Sequence, residues 1–249
     1  MSFPKSEPHR LLPHVAVYLA WIFAGIALTG WILRIPVLTS VVPGLVSMRV
    51  NAAIGFLMLA GALYAAAEGR WPGWQRWLAV AAGILASLTL FEYISGISLG
   101  IDQALFPDLG NSIYPGRMSP ISAINILLLS VALLMPSSRR GNYVKEALAL
   151  LLALSATLAI VGYIYGVPAF YGALSTSNTA MALHSGAGFL VLAIGFCSSP
   201  GKRDLSTYFA ALPSPPWQLV TCFFPRLWCR SYSAGCSFAA GGIWAIPIW

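Results

Sequence analysis

Apolar residues in this chain come in runs of roughly 20, the length at which an α-helix crosses about 30 Å of hydrocarbon. Six runs are predicted as transmembrane spans, near residues 14–33, 48–67, 77–97, 119–135, 147–166 and 179–197. The connections between them alternate in character. "EGRWPGWQR" and "PSSRRGNYVKE" are short and basic, whereas the others are longer and carry Pro, Gly and Tyr. The longest, "SLGIDQALFPDLGNSIYPGRMSP", is also the acidic one.

The even-numbered spans open alike. Aligning Met48, Met118 and Met181 superposes "MRVNAAIGFLMLAGAL", "MSPISAINILLLSVAL" and "MALHSGAGFLVLAIGF". Each repeat is then one helical hairpin, an outward span followed by an inward one, and three such units pack together to bury their polar faces. The expected fold is an all-α polytopic membrane protein of six transmembrane helices in three repeated hairpins, followed by an irregular C-terminal tail. Segment by segment, this gives a cytoplasmic N-terminal stretch at 1–13, the membrane domain at 14–199 and the tail at 200–249.

The three openings share a face at helical spacing i, i+4, i+7: Met48, Ala52, Gly55; Met118, Ser122, Asn125; Met181, Ser185, Gly188. Small residues let helix backbones approach closely where lipid removes the usual hydrophobic drive, so this face suits helix packing. A ligand pocket lined by the same face is the second reading.

Composition agrees with the pattern. With 58% hydrophobic residues, 8% charged residues and a mean hydropathy of +0.78, the apolar surface exceeds what one soluble core of 249 residues hides. The formal charge of +7 does not point to nucleic acid, because the basic residues sit in short connections rather than along one helix face. They read as topology. An N-terminus in the cytoplasm puts Lys5, Arg10, Arg70, Arg76, Arg139, Arg140, Lys145, Lys202 and Arg203 inside, against Arg34, Arg49 and Arg117 outside. The first span lacks a small-x-small cleavage site followed by a soluble domain, so it is expected to stay as a span rather than leave as a signal peptide.

From about Pro213 the character changes to "PSPPWQLVTCFFPRLWCRSYSAGCSFAAGGIWAIPIW", with neither helical nor strand periodicity. Cys222, Cys229 and Cys236 are evenly spaced, yet no histidine or carboxylate lies among them and Pro225 interrupts any helix, so no metal site is expected. A further reading is that the tail is translated out of frame with an ancestral product.

Ionisable residues inside spans are expensive and are functional candidates for that reason, which singles out Glu92 in "LTLFEYISG" and His184 in "MALHSGAG". The bland alternative is a hydrogen-bonded or snorkelling carboxylate for Glu92 and a simple interhelical hydrogen-bond partner for His184. With Asn51 at the position equivalent to His184, a polar cluster near the outer leaflet is expected. Asp102 and Asp108 form a loose carboxylate pair in the long outer loop, where solvation is the simpler role than cation binding. No GxSxG, HExxH, P-loop or CxxC pattern is present, so neither an enzyme nor a cofactor is expected.

The segments "SLGIDQALFPDLGNSIYPGRMSPISAINILLLSVALL" and "VGYIYGVPAFYGALSTSNTAMALHSGAGFLVLAIGF" resemble the membrane-embedded N-terminal region of bacterial sensor histidine kinases and related signalling proteins. The similar elements there are an LGID-x-LLF loop, a PGRM opening, a YGVP-x-x-YG loop and a TAMALHT opening. Here they fall on residues 99–102, 115–118, 165–168 with Tyr171 and Gly172, and 181–184, within a resemblance covering roughly 25–204. Ser185 stands where that pattern has threonine, and the cytoplasmic output domains are absent, so the resemblance implies a truncated input module.

The expectation is therefore a non-catalytic sensory module of a bacterial inner membrane, multi-pass, with its N-terminus in the cytoplasm. The residues expected to meet a signal are Glu92, Asp102, Arg117, Met118, Asn125, Tyr165, Tyr171 and His184. Its expected partners are the lipid bilayer and either a second copy of the chain or a signalling protein. A small transporter, or the membrane subunit of one, is the alternative, since repeats with intramembrane polar residues are also a transporter's sequence trace. A nonfunctional product of a disrupted gene is the third.

Overall fold

The computed structural model describes residues 8–40, 45–104, 106, 114–172 and 180–199. These fall within one contact unit, Met1–Lys202. The tail from Pro213, with its three cysteines, lies outside the described residues, as does Asp108.

Seven α-helices are described: α1 (Pro8–Leu33), α2 (Pro36–Ser40), α3 (Val50–Glu68), α4 (Pro72–Ser95), α5 (Pro120–Leu134), α6 (Arg139–Tyr165) and α7 (Leu183–Cys197). Single 3-10 turns lie at Ile101–Gln103 and Pro168–Phe170. Among the described residues there is no strand, only an isolated bridge between Gly172 and Ala180.

Four helices are long and apolar enough to cross a membrane: Leu11–Leu33, Val50–Glu68, Pro72–Ser95 and Arg140–Tyr165. The other two long elements, α5 and α7, have 15 residues each. At about 1.5 Å per residue each is roughly 22 Å long, shorter than the hydrocarbon layer. Buried residues outside any helix precede both, at 116–119 before α5 and 180–182 before α7.

Helix ends follow local chemistry rather than hydropathy. Gly69 takes a left-handed conformation (φ 65°), its N–H donates to the Ala65 carbonyl, and α3 stops. Pro72 then opens α4, where a missing N–H costs nothing, so the chain reverses within three residues. Ser119 caps α5 by accepting from the Ser122 N–H at 3.1 Å.

Packing closes into a ring. α1 lies on α3, α3 on α4, α4 on α5, α5 on α6, α6 on α7, and α7 returns to α1. α3, α5 and α7 also touch one another, forming an inner group. In α3, 61% of the apolar window is buried, against 33% for α1 and 28% for α4 and α6, so the last three present their Ile and Leu side chains outward. Close approach in the inner group depends on missing side chains. A Cβ on Gly55 would meet Ile126 Cδ1 at 2.6 Å, and one on Gly188 would meet Phe56 Cε1 at 2.7 Å. Ala52 and Ser185 are buried beside them.

The three aligned methionines have a common local structure. Met48, Met118 and Met181 are all buried, and each helix starts two residues later, after an extended residue: Arg49 (φ −75°, ψ 152°), Ser119 (−65°, 149°) and Ala182 (−66°, 148°). An aromatic side chain from the preceding long helix donates to each methionine carbonyl. Trp31 Nε1 reaches Met48 O at 2.8 Å, Tyr93 Oη reaches Met118 O at 3.0 Å, and Tyr163 Oη reaches Met181 O at 2.7 Å. These carbonyls lie two residues before a helix and have no intrahelical donor, so each bond satisfies a group that burial would otherwise strand.

Candidate functional site

The methionine end of the ring carries a buried polar network. Glu92 lies one turn before the end of α4, Asp102 sits on the first 3-10 turn, Arg117 just precedes α5, and Asn51 is in the first turn of α3. All four are buried, Glu92 completely. Arg117 Nε donates to Asp102 Oδ2 at 2.7 Å and lies 3.3 Å from Glu92 Oε2. Asn51 Nδ2 donates to Asp102 Oδ1 at 3.0 Å, and the Leu99 N–H donates to Glu92 Oε1 at 2.6 Å. The network thus ties the loop after α4 to the starts of α3 and α5.

Aromatic rings enclose the guanidinium. Arg117 Cζ lies 5.1 Å from the centre of the Tyr93 ring and 4.9 Å from that of Tyr114, within cation–π range. Gly116 allows this turn: it has φ 74°, and a Cβ there would collide with the Asp102 carbonyl oxygen. One cation against two carboxylates at these distances is a charge-assisted clamp, and Glu92 Oε2 has no hydrogen-bond partner.

A second polar group lies between α5, α6 and α7. Ser155 Oγ donates to Asn125 Oδ1 at 2.6 Å, and Asn125 Nδ2 contacts Met181 Sδ at 3.8 Å. Tyr163 stacks on Tyr171 with centroids 4.0 Å apart and an 11° interplanar angle. His184, in the first turn of α7, is buried, and neither ring nitrogen has a hydrogen-bond partner. Gly188 and Gly195 meet Phe23 and Ala16 of α1, so α7 runs antiparallel to α1.

Of the sequence-derived residues, Glu92, Asp102 and Arg117 form one cluster, with Met118 buried beside it and its carbonyl held by Tyr93. Asn125 and Tyr171 belong to the second group with Met181, and His184 stands on the same helix end. Tyr165 joins neither: it is the last residue of α6 and is 76% exposed. Sequence reasoning missed Tyr93, Tyr114, Tyr163, Trp31 and Ser155. The signal that could have found three of them is an aromatic donor recurring near the C-terminal end of α1, α4 and α6. Among the described residues no group of three His, Cys, Asp or Glu side chains could hold a metal ion.

No protein-family model matches this chain, and neither a curated protein nor a solved structure matches it.

Proposed function

We propose that the chain is an integral membrane protein of six spans in three repeated hairpins, acting as a non-catalytic sensory input module of a bacterial inner membrane with its N-terminus in the cytoplasm. The observation that carries this reading is the Glu92–Arg117–Asp102–Asn51 network, which joins one loop to three helices at a single end of the bundle. A signal that breaks or remakes the network shifts those three helices together, which is what an input domain needs in order to pass a change along its spans. The shared methionine openings and their aromatic donors support the hairpin repeat, and the short α5 and α7 complete their crossings through the extended segments before them.

The middle of the bundle favours sensing over transport. Phe56 and Phe189 are fully buried with ring centroids 4.4 Å apart, and Ile126, Leu129 and Leu192 on α5 and α7 are buried as well. An apolar plug there leaves the polar groups above it without a conducting path. Two experiments test the reading. Fusing the chain through Ser199 to a histidine-kinase catalytic core is expected to give an output that changes in Glu92→Ala or His184→Ala while insertion is retained. Robust solute flux in proteoliposomes of the full chain would overturn the ranking in favour of a transporter.

A further inference from the structure

The end of the bundle opposite the methionines has the reverse character. Where α3 gives way to α4, Arg70 and Arg76 are exposed, and neither has a carboxylate partner among the described residues. The nearest carboxylate along the chain, Glu68, already accepts from His14 Nε2 at 2.8 Å. Around the two arginines stand Trp71, Trp74 and Trp77, exposed by 46%, 67% and 74%. The segment is held from behind. Gln75 Nε2 donates to the Leu133 carbonyl at 2.9 Å, holding the first turn of α4 against the end of α5, and Trp71 stacks on Tyr64 at 6.3 Å.

Three tryptophans this exposed on a water-facing surface would be an aggregation liability, but at a membrane boundary the indole is at home among lipid headgroups. The arginines then sit at headgroup depth. Guanidinium binds a phosphodiester through paired N–H donors, and the first turn of α4 contains no acidic residue to compete for it. Both arginines also lie at the positive end of the α4 dipole, where a cation is disfavoured unless an anion offsets it.

We propose that this collar is a binding surface for anionic phospholipid, the headgroup phosphate being held by Arg70 and Arg76 and the glycerol and upper acyl chain lying against Trp74 and Trp77. The partner is an anionic lipid of the surrounding leaflet, and the inference stands independently of the sensory reading.

The test uses the full chain in phosphatidylcholine vesicles carrying a minor fraction of dibrominated phosphatidylglycerol or, in parallel, dibrominated phosphatidylcholine, with tryptophan fluorescence quenching as readout. Preference for the anionic lipid of about fivefold is expected, from the attraction of basic residues to an anionic surface. It falls toward one in R70Q/R76Q and is reduced but retained in R70K/R76K, which keeps the charges and loses the paired donors. Equal quenching by the two lipids, or an unchanged preference in R70Q/R76Q, overturns the proposal. So does displacement of the anionic lipid by inorganic phosphate, which would mark a free-anion site. High salt added to the wild-type protein gives the same answer without a variant: the preference drops, and constancy would overturn the proposal.

Discussion

Replacing Arg117 by methionine keeps most of the side-chain volume between Tyr93 and Tyr114 while removing the cation that faces two buried carboxylates. Its Nε is 2.7 Å from Asp102 Oδ2 and 3.3 Å from Glu92 Oε2. At an effective dielectric constant of about 20 those separations correspond to attractions of about 6 and about 5 kcal/mol, opposed by the desolvation of all three groups. The net cost of stranding the carboxylates is about 3–5 kcal/mol, the usual penalty for breaking a buried pair from one side. Loss of the two ring contacts adds about 0.5–2 kcal/mol. Reversible unfolding of the full chain in mixed detergent micelles measures this, with a fall in melting temperature on the order of 10 °C. Removing all three charges in Glu92→Gln/Asp102→Asn/Arg117→Met should recover most of the loss, because no unpaired charge is then buried. An R117M protein melting within about 2 °C of wild type, or a triple variant no better than the single one, would refute the clamp.

The aromatic donors make a second set of expectations: Trp31→Phe, Tyr93→Phe and Tyr163→Phe should each lower stability by about 0.5–1.5 kcal/mol in the same assay, and an unchanged protein in all three would contradict the shared role. Gly188→Ala drives a methyl into Phe56 and should cost about 1–3 kcal/mol, whereas Gly25→Ala, with nothing within 4 Å, should be neutral or slightly stabilising; the reverse order would show that α7 and α3 pack differently. His184→Leu should hold or raise stability, since neither ring nitrogen has a partner to lose, and a drop above about 1 kcal/mol would mean that the imidazole is held by a bond. Single cysteines at Ile97 and Trp74, both exposed, should be labelled from opposite sides of the membrane by an impermeant thiol reagent, and labelling from one side alone would refute the proposed orientation of α4.

Much of this architecture is legible in the sequence, because an apolar run and a repeated opening are both local signals. The methionine alignment places the starts of α3, α5 and α7, each two residues on, since the same extended residue separates methionine from helix in all three. Helix limits at the basic end are less legible. α6 begins at Arg139, eight residues before its apolar run, because polar residues continue a helix in which Ser138 accepts from the Gly141 N–H. α4 begins at Pro72 rather than at Trp77 for the corresponding reason, a turn at Gly69 followed by proline.

The site divides along the same line. Glu92 stands out because charge within a span is costly, and cost is visible in a sequence, whereas Asp102 reads as a solvated loop carboxylate and is instead buried against Arg117. Tyr93 and Tyr163 do not stand out, because an aromatic residue near a span end reads equally well as a boundary anchor facing lipid. Choosing Tyr165 over Tyr163 shows how little separates the two outcomes. Two residues along a helix turn a side chain by about 200°, so Tyr165 faces outward while Tyr163 reaches the Met181 carbonyl.

The sensory reading turns on whether the network at the methionine end controls the rest of the bundle. The most direct measurement is kinase output from the fusion carried through Ser199, compared between wild type, Asp102→Asn and Glu92→Ala at matched membrane insertion. The proposed role requires output to shift in both variants, because each loosens the tie between the loop and the helices it joins. Wild-type output from both would contradict it.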